Sequence, residues 1–319
     1  MTSRVLRITA VVAIVGLVGG WLSRAHADEP LLLKYKAIKG DKLIYKTTMD
    51  LKQLQSIMGT KIENTIKQET IVSRVVVDAT DDGNVTLKVK TDRRKMNAEF
   101  GAQGKFDFDS KSSERDTGSA IGASVTPLLE RLTGSEYELR MSPRGQITDV
   151  KGYAELLGDL LKDNLLAQQF GAADNKSAAI EEQRGFLILS EKPVAPGDQW
   201  EVPLDVELTN VGKIKGKQTY TFEGVDKVGD RKTVRVRVDS DFALELKIDQ
   251  PGAKVTGTLS TSSSSGTAQF DPEAGRVVSI KQKSTLSGRL MVEAGGMMIP
   301  IDNEQEQSDT LELLDKLPE

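Results

Sequence analysis

The sequence predicts a mainly β protein made of two duplicated antiparallel units, each a curved sheet or half-barrel, with a helical insertion in the first half. Three observations support this fold class. Hydrophobic and polar residues alternate with period two over most of the chain, the alternating pattern occurs twice, and leucines at helical spacing are confined to one stretch. Such alternation is typical of strands with one buried face. With 38% hydrophobic residues among 319, the chain can bury two ordinary cores.

The first 27 residues have the composition of a secretory signal peptide. Arg4 and Arg7 precede an uncharged stretch over residues 8–22, and Ala25-His26-Ala27 provides a cleavage site. The apolar run of about 15 residues is shorter than the roughly 20 that span a bilayer as a helix. We therefore expect cleavage, a periplasmic or secreted protein, and no membrane span in the mature chain. An uncleaved anchor is the alternative.

Composition excludes several kinds of chemistry from the mature chain. His26 is the single histidine and no cysteine occurs, so the usual proton-transfer side chain, the thiolate nucleophile and His or Cys zinc sites are missing. The absence of disulfides favours a bacterial protein. Without Arg4, Arg7 and Arg24, 40 of the 43 basic residues remain against 47 acidic ones, which disfavours nucleic-acid binding. We expect no cofactor, no metal site and no catalytic residue.

Strands of the first unit are predicted from alternation over residues 43–51 and 85–90. Between them, Val75 and Val77 lie in an unusually continuous apolar stretch, which either faces a ligand or belongs to a strand buried on both faces. The acidic segment 81–84 contains the hairpin signal Asp-Gly and does not have the spacing of a calcium loop, so we interpret it as a turn.

Helices are predicted at two places in the first unit. Thr126-Pro127 has the form of an N-cap followed by proline at the first helical position, so a helix should begin at Pro127. A longer helix is predicted over residues 152–170, where leucines recur on one face. Its stripe is typical of packing against a sheet and would also suit a helix that covers an apolar cavity. The candidate ligand-facing residues are Leu156, Leu157, Leu160, Leu161, Val75 and Val77.

The second unit repeats the strand order of the first. Gly40-Asp41 and the alternation after it align with Gly197-Asp198 and the alternation that follows. Residues 192–198 contain two prolines and a glycine, and they are the best candidate for a boundary. The predicted division is a signal peptide at 1–27, a first β unit with helices at 28–192 and a second β unit at 193–319.

Two features of the second unit have local interpretations. Residues 258–267 are nearly all small and polar, but their apolar flanks favour a long strand, or a strand with a bulge, over a flexible linker. Gly295-Gly296 lies between two apolar segments and predicts a hairpin turn.

Two segments resemble the signatures of a family of exported bacterial β-rich proteins of unknown function. The first is Lys34-Tyr35 with Gly40-Asp41 and Tyr45, and the second is Pro-Val-x-x-Gly-Asp-x-Trp, which ends at Trp200. The resemblance covers most of the mature chain. It implies a periplasmic or surface location and a β-rich fold, and it implies no catalytic residues.

Three functions stay open at this level: an exported binding or structural protein, a carrier whose sheet and 152–170 helix enclose an apolar or lipid-like ligand, and a periplasmic hydrolase with paired carboxylates. We expect a non-catalytic protein. Neither Ser-x-x-Lys nor Gly-x-Ser-x-Gly occurs, and the few aromatic residues form no local cluster that would suit a sugar. The expected partner is an apolar small molecule or a lipid, and not a nucleic acid.

Overall fold

The computed structural model shows a mainly antiparallel β protein, with 67% of the described residues in strands and 8% in helix. This confirms the predicted fold class. The described residues are 29–101, 104–116, 118–156, 179, 182–208, 211–250 and 252–318. The predicted signal peptide at 1–27 lies outside them and stays a prediction.

Twelve strands and one well-formed helix are described, and their lengths follow from the long runs of alternation in the sequence. In chain order they are β1 (Lys42–Ile57), β2 (Thr60–Ala79), β3 (Val85–Phe100), β4 (Lys105–Asp109), α1 (Ala120–Leu132), β5 (Glu136–Met141), β6 (Ile147–Lys151), β7 (Gln199–Leu208), β8 (Gly212–Val228), β9 (Arg231–Gln250), β10 (Ala253–Asp271), β11 (Arg276–Ala294) and β12 (Met297–Leu314).

All twelve strands belong to one open, curved sheet. β1, β2, β3, β5 and β6 form one meander, β4 pairs with the far end of β3, and β7 to β12 form a second meander. The meanders join where β1 pairs with β12, from Ile44↔Leu314 to Ile57↔Ile301. The two predicted units thus share a single sheet, because the first strand of one and the last strand of the other satisfy each other's backbone hydrogen bonds.

The edges of this sheet are β6 and β7, although these two strands follow one another in the sequence. The chain between Lys151 and Gln199 therefore has to pass from one edge to the other. The predicted boundary at 192/193 falls in this connection, and the division into domains stays a prediction.

The two faces of the sheet differ in chemistry. On the face that we call inner, cross-strand partners such as Tyr45 and Val72, or Phe222 and Val236, are buried. The opposite, outer face carries lysine, arginine, aspartate and glutamate in ion pairs, of which Lys46–Glu69 at 2.7 Å is an example. Alternation in the sequence becomes a sheet with one apolar and one charged face, because successive side chains point to opposite sides.

The larger buried cluster occupies one end of the inner face, which we call the closed end. Strands of both meanders contribute to it, and two extended stretches, residues 31–37 and 186–194, pack against them. Phe222, Phe270 and Leu189 are fully buried there. The open end is the opposite one, where the β1–β2, β9–β10 and β11–β12 turns lie.

Helix α1 covers a smaller cluster on β3 and β4 that includes Phe106 and Phe108. The prediction that a helix begins at Pro127 was wrong, because α1 begins at Ala120 and contains the proline. The side chain of Ser119 is the true N-cap and accepts a hydrogen bond from Gly122 N at 2.9 Å. Thr126-Pro127 imitated a helix start because proline is common at the first helical position, whereas here it lies inside α1 and removes one backbone hydrogen bond of the helix.

The local predictions for the second half are confirmed. β10 runs without interruption through the serine-rich stretch, with a register shift between Thr261 and Ser263. Gly295 and Gly296 form the β11–β12 turn with positive φ values of 57° and 78°, as a tight hairpin requires.

Candidate functional site

The candidate site is the inner face of the sheet at the open end. Here rows of paired residues run from strand to strand, and paired residues of antiparallel strands point to the same face. One row crosses seven strands from β1 to β7, and we call it the aliphatic row. Its members in spatial order are Ile57, Ile301, Leu290, Gly257, Leu246, Gly212 and Leu208.

The rows on either side extend this surface. The row nearer the turns continues it on β9 to β12, and the row nearer the closed end continues it on β7 to β10. The row nearer the turns contains Ile299, Val292, Val255 and Ile248. The row nearer the closed end contains Leu259, Leu244, Ile214 and Val206. Most of these side chains are half-buried and belong to neither buried cluster. The open end therefore presents aliphatic surface that the described part of the chain covers only partly.

Glycines on the inner face allow neighbouring strands to approach closely here. Gly257 has φ +151°, and a Cβ built on it would lie 2.4 Å from the carbonyl oxygen of Arg289. Gly216 has φ +155°, and its Cβ would lie 2.1 Å from the carbonyl oxygen of Asp241. Any larger residue would clash with the neighbouring backbone. Glycine within a strand often marks such close approach and a bend of the sheet, and it leaves space above the face.

Uncharged polar side chains separate the aliphatic row from the closed end, and we call them the amide belt. Gln53 Nε2 donates a hydrogen bond to Asn303 Oδ1 at 2.9 Å, and Gln218 Nε2 donates one to Ser240 Oγ at 3.3 Å. The belt is thus partly hydrogen-bonded to itself. Its amide members on the paired strands are Gln53, Gln55, Asn64, Gln68, Gln218, Gln282, Asn303, Gln305 and Gln307.

Two buried polar atoms in this region, one amide nitrogen and one hydroxyl oxygen, have no hydrogen-bond partner. Asn303 is 4% exposed, and its Nδ2 is unpaired although its Oδ1 accepts from Gln53. Ser264 Oγ, two strands away, is also buried and unpaired. Buried polar atoms are nearly always satisfied in proteins, so such exceptions call for an explanation.

Charge is scarce on the inner face. On the described strands it is limited to Arg74, Arg94, Asp309 and the exposed Lys227 and Lys232 beside the β8–β9 turn. The carboxylate of Asp309 accepts hydrogen bonds from Gln307 Nε2 at 2.8 and 3.0 Å. The outer face by contrast carries the ion pairs of nearly every strand. The inner surface is therefore suited to an apolar or neutral group, because a charged group would lose hydration without gaining a partner.

At the closed end, one buried guanidinium joins the sheet to the connection between its edges. Arg74 lies over the ring of Phe186 at 4.3 Å and over that of Tyr45 at 5.1 Å. Its Nη2 is 3.0 Å from Glu182 Oε2, and the Tyr137 hydroxyl donates to the same carboxylate. Nε and Nη1 of Arg74 have no hydrogen-bond partner. This cluster holds residues 182–186 against β2 and β5.

Hydrogen bonds of the aromatic residues fix the same connection. The Tyr35 hydroxyl donates to Leu187 O at 3.1 Å and accepts from Leu187 N at 2.8 Å. Trp200 Nε1 donates to Ile188 O at 2.7 Å, and its ring stacks on Tyr220 at 5.4 Å. Burial raises the pKa values of Tyr35 and Tyr220 well above the ordinary value of a tyrosine hydroxyl. The closed end is therefore a rigid core, and space for a ligand has to be sought at the open end.

The structure places only part of the predicted ligand-facing set. Leu156 is half-buried just after β6, whereas Leu157, Leu160 and Leu161 lie outside the described residues. Val75 lies on the outer face, where it pairs with Lys42 and Lys88. Val77 is the unpaired residue at a register shift between β2 and β3. Whether any of these residues contacts a ligand stays a prediction.

The apolar residues of β2 on the inner face are instead Ile62, Ile66, Val72 and Val76. Most apolar residues of the open end come from β9 to β12. Apolar and polar residues also alternate over residues 244–248, but none of these open-end residues was predicted as a site residue. The period of two separates the two faces of a strand and does not say which face is enclosed.

No other type of site stands out in the described part of the chain. No group of acidic, histidine or cysteine side chains there is placed to hold a metal ion, and no helix there combines the length and apolarity that crossing a membrane requires. A depression of about 350 Å³ lies beside Leu54 and Lys61, and Asp302 and Glu304 border it. Its charged border does not suit an apolar ligand.

Comparison with solved structures gives only remote likenesses. A chain entitled "lipid-protein interactions in lipovitellin" has 11% identity and a TM-score of 0.43, and the match covers 88% of this chain but 25% of that one. DynF of the dynemicin biosynthesis pathway of Micromonospora chersina has 9% identity and a TM-score of 0.19, over 96% and 92% of the two chains. A DUF1329 family protein from Desulfovibrio piger has 8% identity and a TM-score of 0.16, over 86% and 87%. At these values the likenesses carry no functional argument.

Comparison by sequence assigns the family. The model of a family of unknown function, DUF6263, matches residues 82–277, and the chain belongs to this family. The match extends from the β2–β3 turn to the start of β11 and so includes parts of both meanders. No curated protein matches the chain.

Proposed function

We propose that this DUF6263 protein is an exported, non-catalytic binding protein of the bacterial envelope that holds an apolar, lipid-like ligand on the open end of its inner face. The observation that carries this proposal is the aliphatic row, which crosses seven strands and is only half-buried. Soluble sheets pack a hydrophobic face against another layer. A half-exposed face of this extent is typical of a surface that a ligand or partner covers.

The dimensions of the row suit an acyl chain. Neighbouring strands lie about 4.8 Å apart, so seven strands span about 29 Å. One leaflet contributes about half of the roughly 30 Å hydrocarbon core of a bilayer. An extended acyl chain can therefore lie across the strands within the row. Each methylene that it buries contributes about 0.8 kcal/mol of favourable transfer free energy.

The amide belt suits an uncharged polar group at one end of the ligand. Asn303 Nδ2 is a buried donor without a partner, and it lies one row from Ile301 and Leu290. An ester or amide carbonyl of a ligand would accept its hydrogen bond and remove the penalty of leaving it unpaired. We infer an acyl ester or amide as the ligand class, because the inner face carries few charges that could pair with an ionic head group.

The proposal of a non-catalytic role rests on where the carboxylates lie. Hydrolysis by two carboxylates needs a pair that faces one substrate. On the described strands, the inner face carries a single carboxylate, Asp309, and Gln307 donates hydrogen bonds to it. Many acidic residues of the outer face are paired with lysines and arginines, as in the pairs of Asp205 with Lys213 and Glu201 with Lys217.

The test compares two charge-introducing variants of adjacent residues on β9. Leu246→Asp places a carboxylate in the aliphatic row, whereas Lys247→Asp places one on the outer face. Binding is measured with a fluorescently labelled octadecanoyl ester, and the folding of both variants is checked by circular dichroism and thermal melting. We expect the Leu246→Asp variant to lose about tenfold or more of its affinity, because a buried carboxylate is strongly unfavourable beside an acyl chain. The Lys247→Asp variant should bind like the wild type.

A second measurement identifies what the protein carries. Protein purified without detergent is extracted with organic solvent, and the extract is analysed by mass spectrometry. A co-purified acyl compound that is missing from the Leu246→Asp variant supports the proposal. Equal binding by both variants together with a lipid-free extract would refute it, as would turnover of the ester probe that stops on substitution of Asp309.

A further inference from the structure

The turn end of the β11–β12 hairpin, residues 290–301, departs from the rest of the sheet, and we call it the apolar tip. β1 pairs with β12 only as far as Ile301, so residues 297–300 of β12 extend past the β1–β2 turn. Four residues of strand correspond to about 13 Å. On the other side, β10 accompanies β11 up to Ala294. The tip therefore extends past the β1–β2 turn on its β12 side and ends level with the β9–β10 turn on its β11 side, beside the mouth of the aliphatic row.

The apolar tip is hydrophobic on both of its faces, unlike the other long hairpins. Elsewhere on β11 and β12, outer-face positions are mainly charged or hydroxylated, as at Lys281, Lys283 and Glu306. Within the tip, the outer face carries Met291, Met298 and Pro300 instead. Glu293 is the one charged residue between Leu290 and Ile301.

The methionines at the turn of the tip are exposed, whereas its other large apolar side chains, Pro300 aside, are half-buried. Met297 is 64% exposed and Met298 58%, and Met58 in the neighbouring β1–β2 turn is 81% exposed. An ion pair between Arg289 and Asp302, with Nε and Oδ1 2.6 Å apart, lies directly below the tip. Packing within this chain accounts for the inner side chains of the hairpin, because they continue the aliphatic row. It does not account for methionines on the outer face.

We propose that the apolar tip inserts into the interfacial region of a lipid bilayer. A protein partner would cover one face of a hairpin, whereas a membrane surrounds an inserted tip on both faces, and both faces are apolar here. Amphipathic elements at membrane surfaces bury their apolar side chains about 5–10 Å deep, which is within the length that protrudes. Arg289 and Asp302 would then lie at the level of the head groups.

The backbone of the tip is compatible with this environment. Strand β10 pairs with the β11 side of the tip up to Ala294, and Pro300 on β12 has no backbone N–H that needs a partner. The proposal does not depend on ligand binding at the aliphatic row. Insertion would nevertheless bring the mouth of that row to the membrane surface, where an acyl ligand could be exchanged.

The absence of cysteine from the chain allows a site-specific test. Single substitutions Met298→Cys, Met58→Cys and Ile38→Cys are each labelled with a nitrobenzoxadiazole fluorophore in the full exported chain. Ile38 is the matched control, because it is 72% exposed but lies at the closed end. The labelled proteins are titrated with phosphatidylcholine vesicles and with phosphatidylethanolamine–phosphatidylglycerol vesicles, with and without nitroxide-labelled lipid as a quencher.

Labels at 298 and 58 should shift to shorter wavelength and be quenched by the nitroxide lipid, whereas the label at 38 should not change. The shift should persist at high salt and with neutral vesicles, because apolar burial and not charge drives the insertion. The double variant Met297→Asp/Met298→Asp should bind vesicles at least about tenfold more weakly than the wild type. The proposal is overturned if the label at 298 stays in an aqueous environment at saturating lipid, or if it shifts without lipid through self-association.

Discussion

The closed and open ends of the inner face are built by the same strands, but one is a filled core and the other a half-exposed surface. β10 contributes the fully buried Phe270 at the closed end and Gly257 at the open end. Period-two alternation is present at both ends, although register shifts interrupt it at the closed end, as next to Phe270 and Phe222. The difference comes from chain outside the strands, because residues 31–37 and 186–194 pack into the closed end. Regular strands provide an apolar face. The chain that packs against this face determines whether it becomes a stable core or stays accessible to a ligand.

The largest expected effect contrasts one core residue with one row residue. Phe270→Ala should lower the free energy of unfolding by about 4 kcal/mol, because it removes a fully buried ring and leaves a cavity. Leu290→Ala should lower it by less than about 1.5 kcal/mol, because the leucine is only half-buried. Both values are measured by urea unfolding. Similar losses for the two variants would mean that the open end is as well packed as the closed end.

The next effect tests how the edge-to-edge connection is held. Arg74→Met should lower the free energy of unfolding by about 3 kcal/mol, because Glu182 then loses its buried cation. Adding Glu182→Met should recover part of that loss, since no unpaired charge remains. Thermal and urea unfolding of the single and double variants measure the difference. If the double variant is no more stable than the single one, the ion pair does not hold the connection.

Alkaline pH should weaken the closed end through its tyrosines. Burial raises the pKa of Tyr45 to about 12, from an ordinary value near 10, so folding favours the neutral hydroxyl. The stabilisation from this residue is complete below pH 10 and is lost as the pH rises from about 10 to about 12, which amounts to about 2–3 kcal/mol. Urea unfolding across this range should show a smaller loss for Tyr45→Phe than for the wild type. Identical pH profiles would contradict the assignment.

The smallest effect is expected on the outer face of the open end. Lys52 and Glu63 are 3.1 Å apart, and both side chains are more than half exposed. Lys52→Ala should change the free energy of unfolding by less than about 0.5 kcal/mol and leave binding of the octadecanoyl ester unchanged. Isothermal unfolding and probe titration measure both. A larger loss of stability or of probe binding would show that the outer face also contributes to the properties of the open end.

Much of the architecture was determined by the sequence alone. The alternation at residues 43–51 and 85–90 predicted strands with one apolar face, and Gly295-Gly296 predicted the hairpin between β11 and β12. These signals are local, because a strand side chain points to one face or the other according to its position and a tight turn needs positive φ. The length of β10 was also recoverable, since apolar flanks enclosed its serines.

Only the tertiary structure decided which strands are neighbours and which faces are enclosed. The pairing of β1 with β12 made one sheet out of two predicted units, and it placed Ile57 beside Ile301 although they are far apart in the chain. That pairing depends on edge strands meeting in space, which no local pattern encodes. For the same reason Val75 and Leu290 look equally suitable for a ligand in the sequence, although the fold places Val75 among lysines on the outer face and Leu290 in the aliphatic row.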